Sequence, residues 1–266
     1  MGSLGRALYS IGFWIRETGQ AIDRLGCALQ GTNAYKEQLS RHRTLMNLMG
    51  KKPHVPSTTF VAPSASVIGD VEVGPKSSIW YGAILRGDVN SIKVGAMTNI
   101  QDGSIVHVAK TNISGNVLPT TIGSKVTIGH NAILHACTVE DESFVGMGST
   151  LLDGVTVQKG AMVAAGSLVT QKTTVPAGEI WAGNPAKFLR KLTAEETAFI
   201  TKSAESYFES AQVHAEENAK SFEQIEADKE ARAKDELQSD DYDSHIGIIR
   251  KKELDTTPTG GTVTLR

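Results

Sequence analysis

Valine, isoleucine and leucine recur at every sixth residue through the middle of this chain, and that period excludes most ways in which a polypeptide can fold. Val61, Val67, Val73, Ile79 and Leu85 are six apart, as are Val94, Ile100 and Val106, then Ile122, Ile128 and Leu134. Val139, Val145, Leu151, Val157, Val163, Val169 and Val175 continue the rhythm without a slip. Glycines recur beside it at Gly74, Gly95, Gly123, Gly129, Gly146, Gly160 and Gly166. An amphipathic helix repeats near 3.6 residues and a plain amphipathic strand at 2, so neither produces sixes. Short strands alternating with glycine-containing turns do, and stacked hexapeptides of this kind build a parallel β-helix.

The chain is 40% apolar but only 6% aromatic, which suits a narrow prism filled with aliphatic side chains. Its formal net charge of -2 argues against nucleic acid as a main partner. Cys27 and Cys137 match no zinc-ribbon spacing, so a reducing compartment is expected rather than a disulfide framework. No apolar run reaches the ~18 residues of a membrane span.

Three further segments flank the prism expected at residues 51–185. Within residues 1–50, Leu4, Leu8, Ile11, Ile15, Ile22, Leu25 and Leu29 follow helical spacing, with only the Thr18 step polar. With Arg6, Arg16 and Arg24 alongside, residues 4–29 read either as an element for peripheral membrane or partner contact, or as a helix packed on its own domain. The arginines also resemble those of a mitochondrial targeting segment, against which stand Glu17 and Asp23. No hydroxyl residue occupies position six, so myristoylation is not expected. After the loop Trp181-Ala182-Gly183-Asn184-Pro185, Thr193 and Glu196 form a capping box and no Gly or Pro occurs from Ala186 to Ile246. These features predict a long charged helix over 186–236, covering the prism, followed by a mobile tail over 237–266.

The hexads resemble those of the left-handed β-helix family, in which three hexapeptides close one triangular coil. On that likeness the breaks in the rhythm are corner insertions, and Leu85, Val106 and Leu134 share one face on successive coils. Arg86, His107 and His135 then form a column with neighbours about 4.8 Å apart. The same count pairs Ile100 with Ile128, which makes Asp102 and His130 equivalent and puts His130 on a different face. One prism does not readily aim two faces at one point, whereas three chains around a threefold axis do. Three neutral imidazoles with a fourth position open to water have the composition of a catalytic zinc site. The spacing alone favours three unrelated surface or interface histidines; the shared column favours the metal.

Leu85-Arg86-Gly87-Asp88-Val89-Asn90, Thr98-Asn99-Ile100-Gln101-Asp102-Gly103, Val106-His107-Val108, Gly129-His130, His135 and Trp181-Ala182-Gly183-Asn184-Pro185-Ala186-Lys187 resemble the γ-class carbonic anhydrases. The likeness covers about residues 55–215. With its N-terminal helix and charged C-terminus, the whole chain is similar to the plant mitochondrial γ carbonic anhydrase subunits of respiratory complex I. The resemblance implies reversible hydration of CO2 to bicarbonate by a metal-bound hydroxide at a subunit interface. His107, His130 and His135 would hold Zn2+, with Fe2+ as the alternative. Arg86 and Asp88 would pair across the interface and, with Gly87, help to hold product. Gln101 and Asp102 would orient water and its neighbours, with Tyr207 and Glu209 beside them; Gln101, Arg86 and Tyr207 are the expected catalytic groups. A homo- or heterotrimer with paralogous subunits is implied, on the matrix face of the inner mitochondrial membrane and against the complex I membrane arm.

The sequence departs from that pattern. Val89 and Lys110 stand where archaeal members place proton-exporting glutamates, and Tyr207-Phe208-Glu209 replaces Tyr-x-Asn. Proton transfer typically contributes about 10² to 10⁴ in rate, so a low-activity or inactive assembly and bicarbonate-binding module is the second reading. A hexapeptide acyltransferase, which shares the prism but needs one histidine and a coenzyme A groove, is a distant third.

Overall fold

The computed structural model describes residues 3–30, 42–111, 118–238, 242–243, 248–251 and 262–265. The chain divides into two compact units, Met1–Arg43 and Thr44–Arg266. In the first, α1 (Ser3–Gln30) is one helix, and Leu4, Leu8, Ile11, Ile15, Ile22, Leu25 and Leu29 are all exposed. Among the described residues no helix is long and apolar enough to cross a membrane.

The second unit is a parallel β-helix with three faces. On the first, Val67, Leu85, Val106, Leu134, Leu151 and Val169 lie opposite one another on successive strands. Val73, Val94, Ile122, Val139, Val157 and Val175 stack on the second. Val61, Ile79, Ile100, Ile128, Val145 and Val163 stack on the third. The strands Ser66–Val73 and Ile84–Val94 run unbroken around a corner, which merges the first two faces into one eleven-stranded sheet beside an eight-stranded third. Most of these inward residues are completely buried. Each contributes roughly 1.5–3 kcal/mol of hydrophobic stabilisation.

Corners set how closely the coils stack. A Cβ on Gly95 would lie 2.5 Å from the backbone of Gly123 and Ser124, and one on Gly129 would lie 2.5 Å from the Met147 nitrogen. Hydroxyls satisfy the corner carbonyls: Ser77 Oγ donates to Gly95 at 2.7 Å, and Ser104 Oγ donates to Gly129 at 2.8 Å. Among the described residues no buried side-chain nitrogen or oxygen lacks a partner.

Three boundaries differ from the sequence-based expectation. Leu45–Met46 already pairs with Val67–Ile68, so the prism's first wall begins inside the segment assigned to residues 1–50; two residues are too few to display a hexad. Ala186–Lys191 is a strand rather than the start of a helix. It folds back on Glu179–Gly183 through a turn with Gly183 at φ 103° and so pairs the open edge of the last coil. Helix α2 (Ala194–Ala219) starts at Thr193 with the expected capping box, Glu196 N–H to Thr193 Oγ1 at 3.2 Å and Thr193 N–H to Glu196 at 2.9 Å. It runs along the strands of the third face and buries Ile200, Ala204 and Ala211 there.

Helix α2 does not continue through 236. Lys220 is extended, and Ser221 and Gln224 cap a second helix reciprocally, α3 (Phe222–Gln238). A Ser-x-x-Gln box therefore ends one helix and begins another without any Gly or Pro. Beyond it, Tyr242–Asp243, Ile248–Lys251 and Thr262–Leu265 form a small antiparallel sheet. The rest of the tail expected to be mobile lies outside the described residues.

Substituting Gly95→Ala forces one coil away from the next and is expected to destabilise by about 1–3 kcal/mol or more. Ile100→Val removes one methylene and is expected to cost about 0.5–1.5 kcal/mol. Thermal unfolding of the two variants should show the larger fall in Tm for Gly95→Ala; equal falls would contradict close stacking at this corner.

Candidate metal centre

The first face carries three aligned tripeptides, Ile84-Leu85-Arg86, Ile105-Val106-His107 and Ile133-Leu134-His135. Each central residue points inward, which turns its neighbours outward. The column expected from counting sixes is present: Arg86 lies opposite His107 and His107 opposite His135. The two imidazole centroids are 5.2 Å apart. His130 follows Gly129 and the Thr127–Ile128 strand of the third face. Among the described residues no group of three His, Cys, Asp or Glu side chains within the chain is gathered to hold a metal.

Every one of the three histidines has an aspartate on one ring nitrogen. His130 Nδ1 lies 2.8 Å from Asp102 Oδ2, and Asp102 Oδ1 accepts the Tyr81 N–H at 3.2 Å. His135 Nδ1 lies 2.5 Å from Asp153 Oδ1. His107 uses the other nitrogen, with Nε2 3.0 Å from Asp88 Oδ1. One nitrogen of each ring is left with its lone pair, which is the donor set and outer support that a zinc-binding imidazole needs. Nearby Cys137 is no competing ligand, since burial, with the Asp153 charge adding to it, pushes its thiol up to about 12 and keeps it protonated.

Arg86 donates to Asp88 within the same chain. Burial acts to raise the Asp88 carboxyl. The Val89 N–H, the hydrogen bond and charge of His107 and the Arg86 guanidinium outweigh it and hold the group below the usual carboxylate range. Gly87 contributes backbone only, because a Cβ there would lie 2.3 Å from the Asp70 carbonyl oxygen.

Buried Gln101 is oriented by a polar chain. Its Nε2 donates to Asn99 Oδ1 at 3.0 Å, Asn99 Nδ2 donates to Thr127 Oγ1 at 2.9 Å, and Thr127 meets Ser203 Oγ of α2 at 3.3 Å. Tyr207, also on α2, packs edge-on against Trp80 at 5.7 Å. Burial and the nearby Asp102 charge raise its phenol. The same Trp80 meets His214 at 4.9 Å, and Tyr81 Oη lies 2.9 Å from His214 Nδ1. This aromatic clamp fixes α2 over the face bearing Asp102. Glu209, about 200° around the helix from Tyr207, is exposed, so the chain does not bring it to the predicted group.

Asp153, Asn99, Trp80 and His214 were not anticipated. Asp153 had a usable signal: Leu151 stands opposite Leu134 one coil on, and the carboxylate follows two residues later. Trp80 and His214 depend on how α2 docks, which no periodicity specifies.

A depressed Asp88 pKa stabilises the fold above the unfolded value of about 3.9, and that contribution is lost as pH falls through the folded value. The Tm advantage of the native protein over Asp88→Asn should be present at about pH 5 and shrink below about pH 4. An advantage unchanged down to about pH 3 would contradict this assignment.

A family model described as "Gamma carbonic anhydrase 1, mitochondrial C-terminal domain" matches residues 197–259, and "Hexapeptide repeat of succinyl-transferase" matches 119–152 and 136–171. Gamma carbonic anhydrase 1, mitochondrial, of Arabidopsis thaliana is 65% identical over 251 residues, 94% of this chain and 91% of the relative. Gamma carbonic anhydrase 2, mitochondrial, of the same plant is 64% identical over 251 residues, 94% of this chain and 90% of the relative. Among solved structures, a hexapeptide transferase family protein from Anaplasma phagocytophilum aligns with a TM-score of 0.60 at 49% identity, covering 64% of this chain and 96% of that one. Identity of this degree across nearly the full length of both plant proteins decides the family: the chain belongs to the gamma carbonic anhydrases.

Proposed function

We propose that the protein is a carbonic anhydrase, converting CO2 and water reversibly into bicarbonate and a proton at sites formed between the subunits of a trimer. The carrying observation is the division of the three imidazoles, with His107 and His135 5.2 Å apart on one face and His130 on another. His107, His130 and His135 would hold zinc, with ferrous iron as the alternative, and the ion would supply Lewis acidity for activating water there. Arg86, in line with the histidines, presents a planar fork suited to the oxygens of bicarbonate. Gln101, held by Asn99, offers its amide oxygen in a fixed direction. Tyr207, kept protonated by its surroundings, is a hydrogen-bond donor from α2.

An apolar ladder supports the trimer. Ile84, Ile105 and Ile133 are in register beside the histidine column yet 36%, 38% and 43% exposed, which suits a strip covered by a neighbouring protomer. This chain carries both halves of the site, so three identical copies complete three sites, and a paralogue with the same residues substitutes in a heterotrimer. The mitochondrial names of the plant relatives and the exposed apolar row of α1 with its arginines support placement on the matrix face of the inner membrane, against the membrane arm of complex I.

A second reading rests on specific residues. Val89 and Lys110 carry no carboxylate at the positions where archaeal members place proton-exporting glutamates, and Glu209 lies about 200° around α2 from Tyr207. A trimer that binds metal and bicarbonate but turns over little CO2 is then an assembly module. Stopped-flow CO2 hydration separates the two. The enzyme reading expects metal-dependent turnover, and a fall of about 10²-fold or more in His130→Ala with the trimer intact. Full metal occupancy without turnover would establish the assembly module in its place, and tight coenzyme A binding would point instead to acyl transfer.

A further inference from the structure

We propose that Asp153 is a positioning residue for the metal centre, holding His135 in the tautomer that presents Nε2 to the ion. This rests on the metal-site reading above and adds to it a residue outside the expected set. The Leu134 to Leu151 pairing puts Asp153 one coil beyond His135 on the same wall. Its backbone is pinned at a corner: the Asp153 carbonyl accepts the Lys172 N–H at 3.0 Å, and Gly154 makes the turn at φ 71°. From that fixed point Oδ1 reaches His135 Nδ1 at 2.5 Å.

A carboxylate only accepts, so Nδ1 carries the hydrogen and the Nε2 lone pair faces outward. The negative charge also makes the imidazole a stronger donor to a cation. Nothing divides that charge, because among the described residues the ion pair of Asp153 is with His135 alone. Asp88 differs. It serves Arg86 and the Val89 N–H as well as His107, so its hold on that ring is shared. Of the two histidines on this face, His135 is the one with a dedicated carboxylate.

The test uses the full-length assembled protein with Asp153→Ala and Asp153→Asn. Zinc affinity is read by competition with a chromophoric chelator, and ligand geometry by the visible spectrum after cobalt(II) loading. Asp153→Ala should bind zinc about 10–100-fold more weakly and alter the cobalt spectrum, while the Tm of the metal-free protein stays within about 2 °C of native. Asn keeps the shape and one acceptor but drops the charge, so Asp153→Asn should weaken binding by about tenfold; this variant decides the matter if Asp153→Ala does not fold. Native affinity in the folded variants overturns the role of Asp153 alone. A native protein that takes up neither zinc nor cobalt overturns the site reading, and this inference with it.

Discussion

Every feature of the site depends on one constraint: each six-residue edge of the prism must hydrogen-bond to the edge one coil above and one coil below. The backbone ladder leaves no freedom in the distance between rungs, about 4.8 Å. Gly95 and Gly129 make that spacing attainable at the corners, where the next coil's backbone fills the place of a Cβ. A side chain's height on the prism and the wall it occupies are therefore fixed by its number in the sequence. Few folds convert spacing into position so directly.

A stacked wall also limits chemistry. Two imidazoles in register lie side by side, as the His107 and His135 rings do, but a third on another wall points elsewhere. A convex prism has no cleft to gather them, so convergence calls for a second convex surface. The three aspartates belong to the same logic. Asp102, from the coil before His130, and Asp153, from the coil after His135, use rung spacing to reach a ring nitrogen. The wall thus supplies both the imidazoles and the carboxylates that set their tautomers, with no loop required to fold over them.

Much of this was legible before any coordinates. The period pointed to stacked hexapeptides and the likeness to the left-handed β-helix family implied three walls; counting sixes on that likeness placed Arg86, His107 and His135 in one column, because inward aliphatic residues cannot slip without turning polar ones into the core. What escaped notice was local or tertiary. Ser221 and Gln224 stop a helix through side-chain caps, a short signal hidden in a charged run. The strand Ala186–Lys191 answers an unpaired edge rather than its own propensity. The clamp of Trp80, Tyr81 and His214 depends on how α2 meets the third face.

The central claim is that each site borrows from two chains, and mixing disabled subunits tests it most directly. One chain carries His130→Ala and keeps the His107 and His135 column; the other carries His107→Ala and keeps His130. Neither builds a complete site in its own trimer, yet in any mixed trimer one interface joins the intact column of the first to the intact His130 of the second. The account predicts one zinc per mixed trimer, with CO2 hydration returning alongside it, and almost none in either parent. Mixed trimers as empty as the parents, or parents that retain their metal, would contradict it.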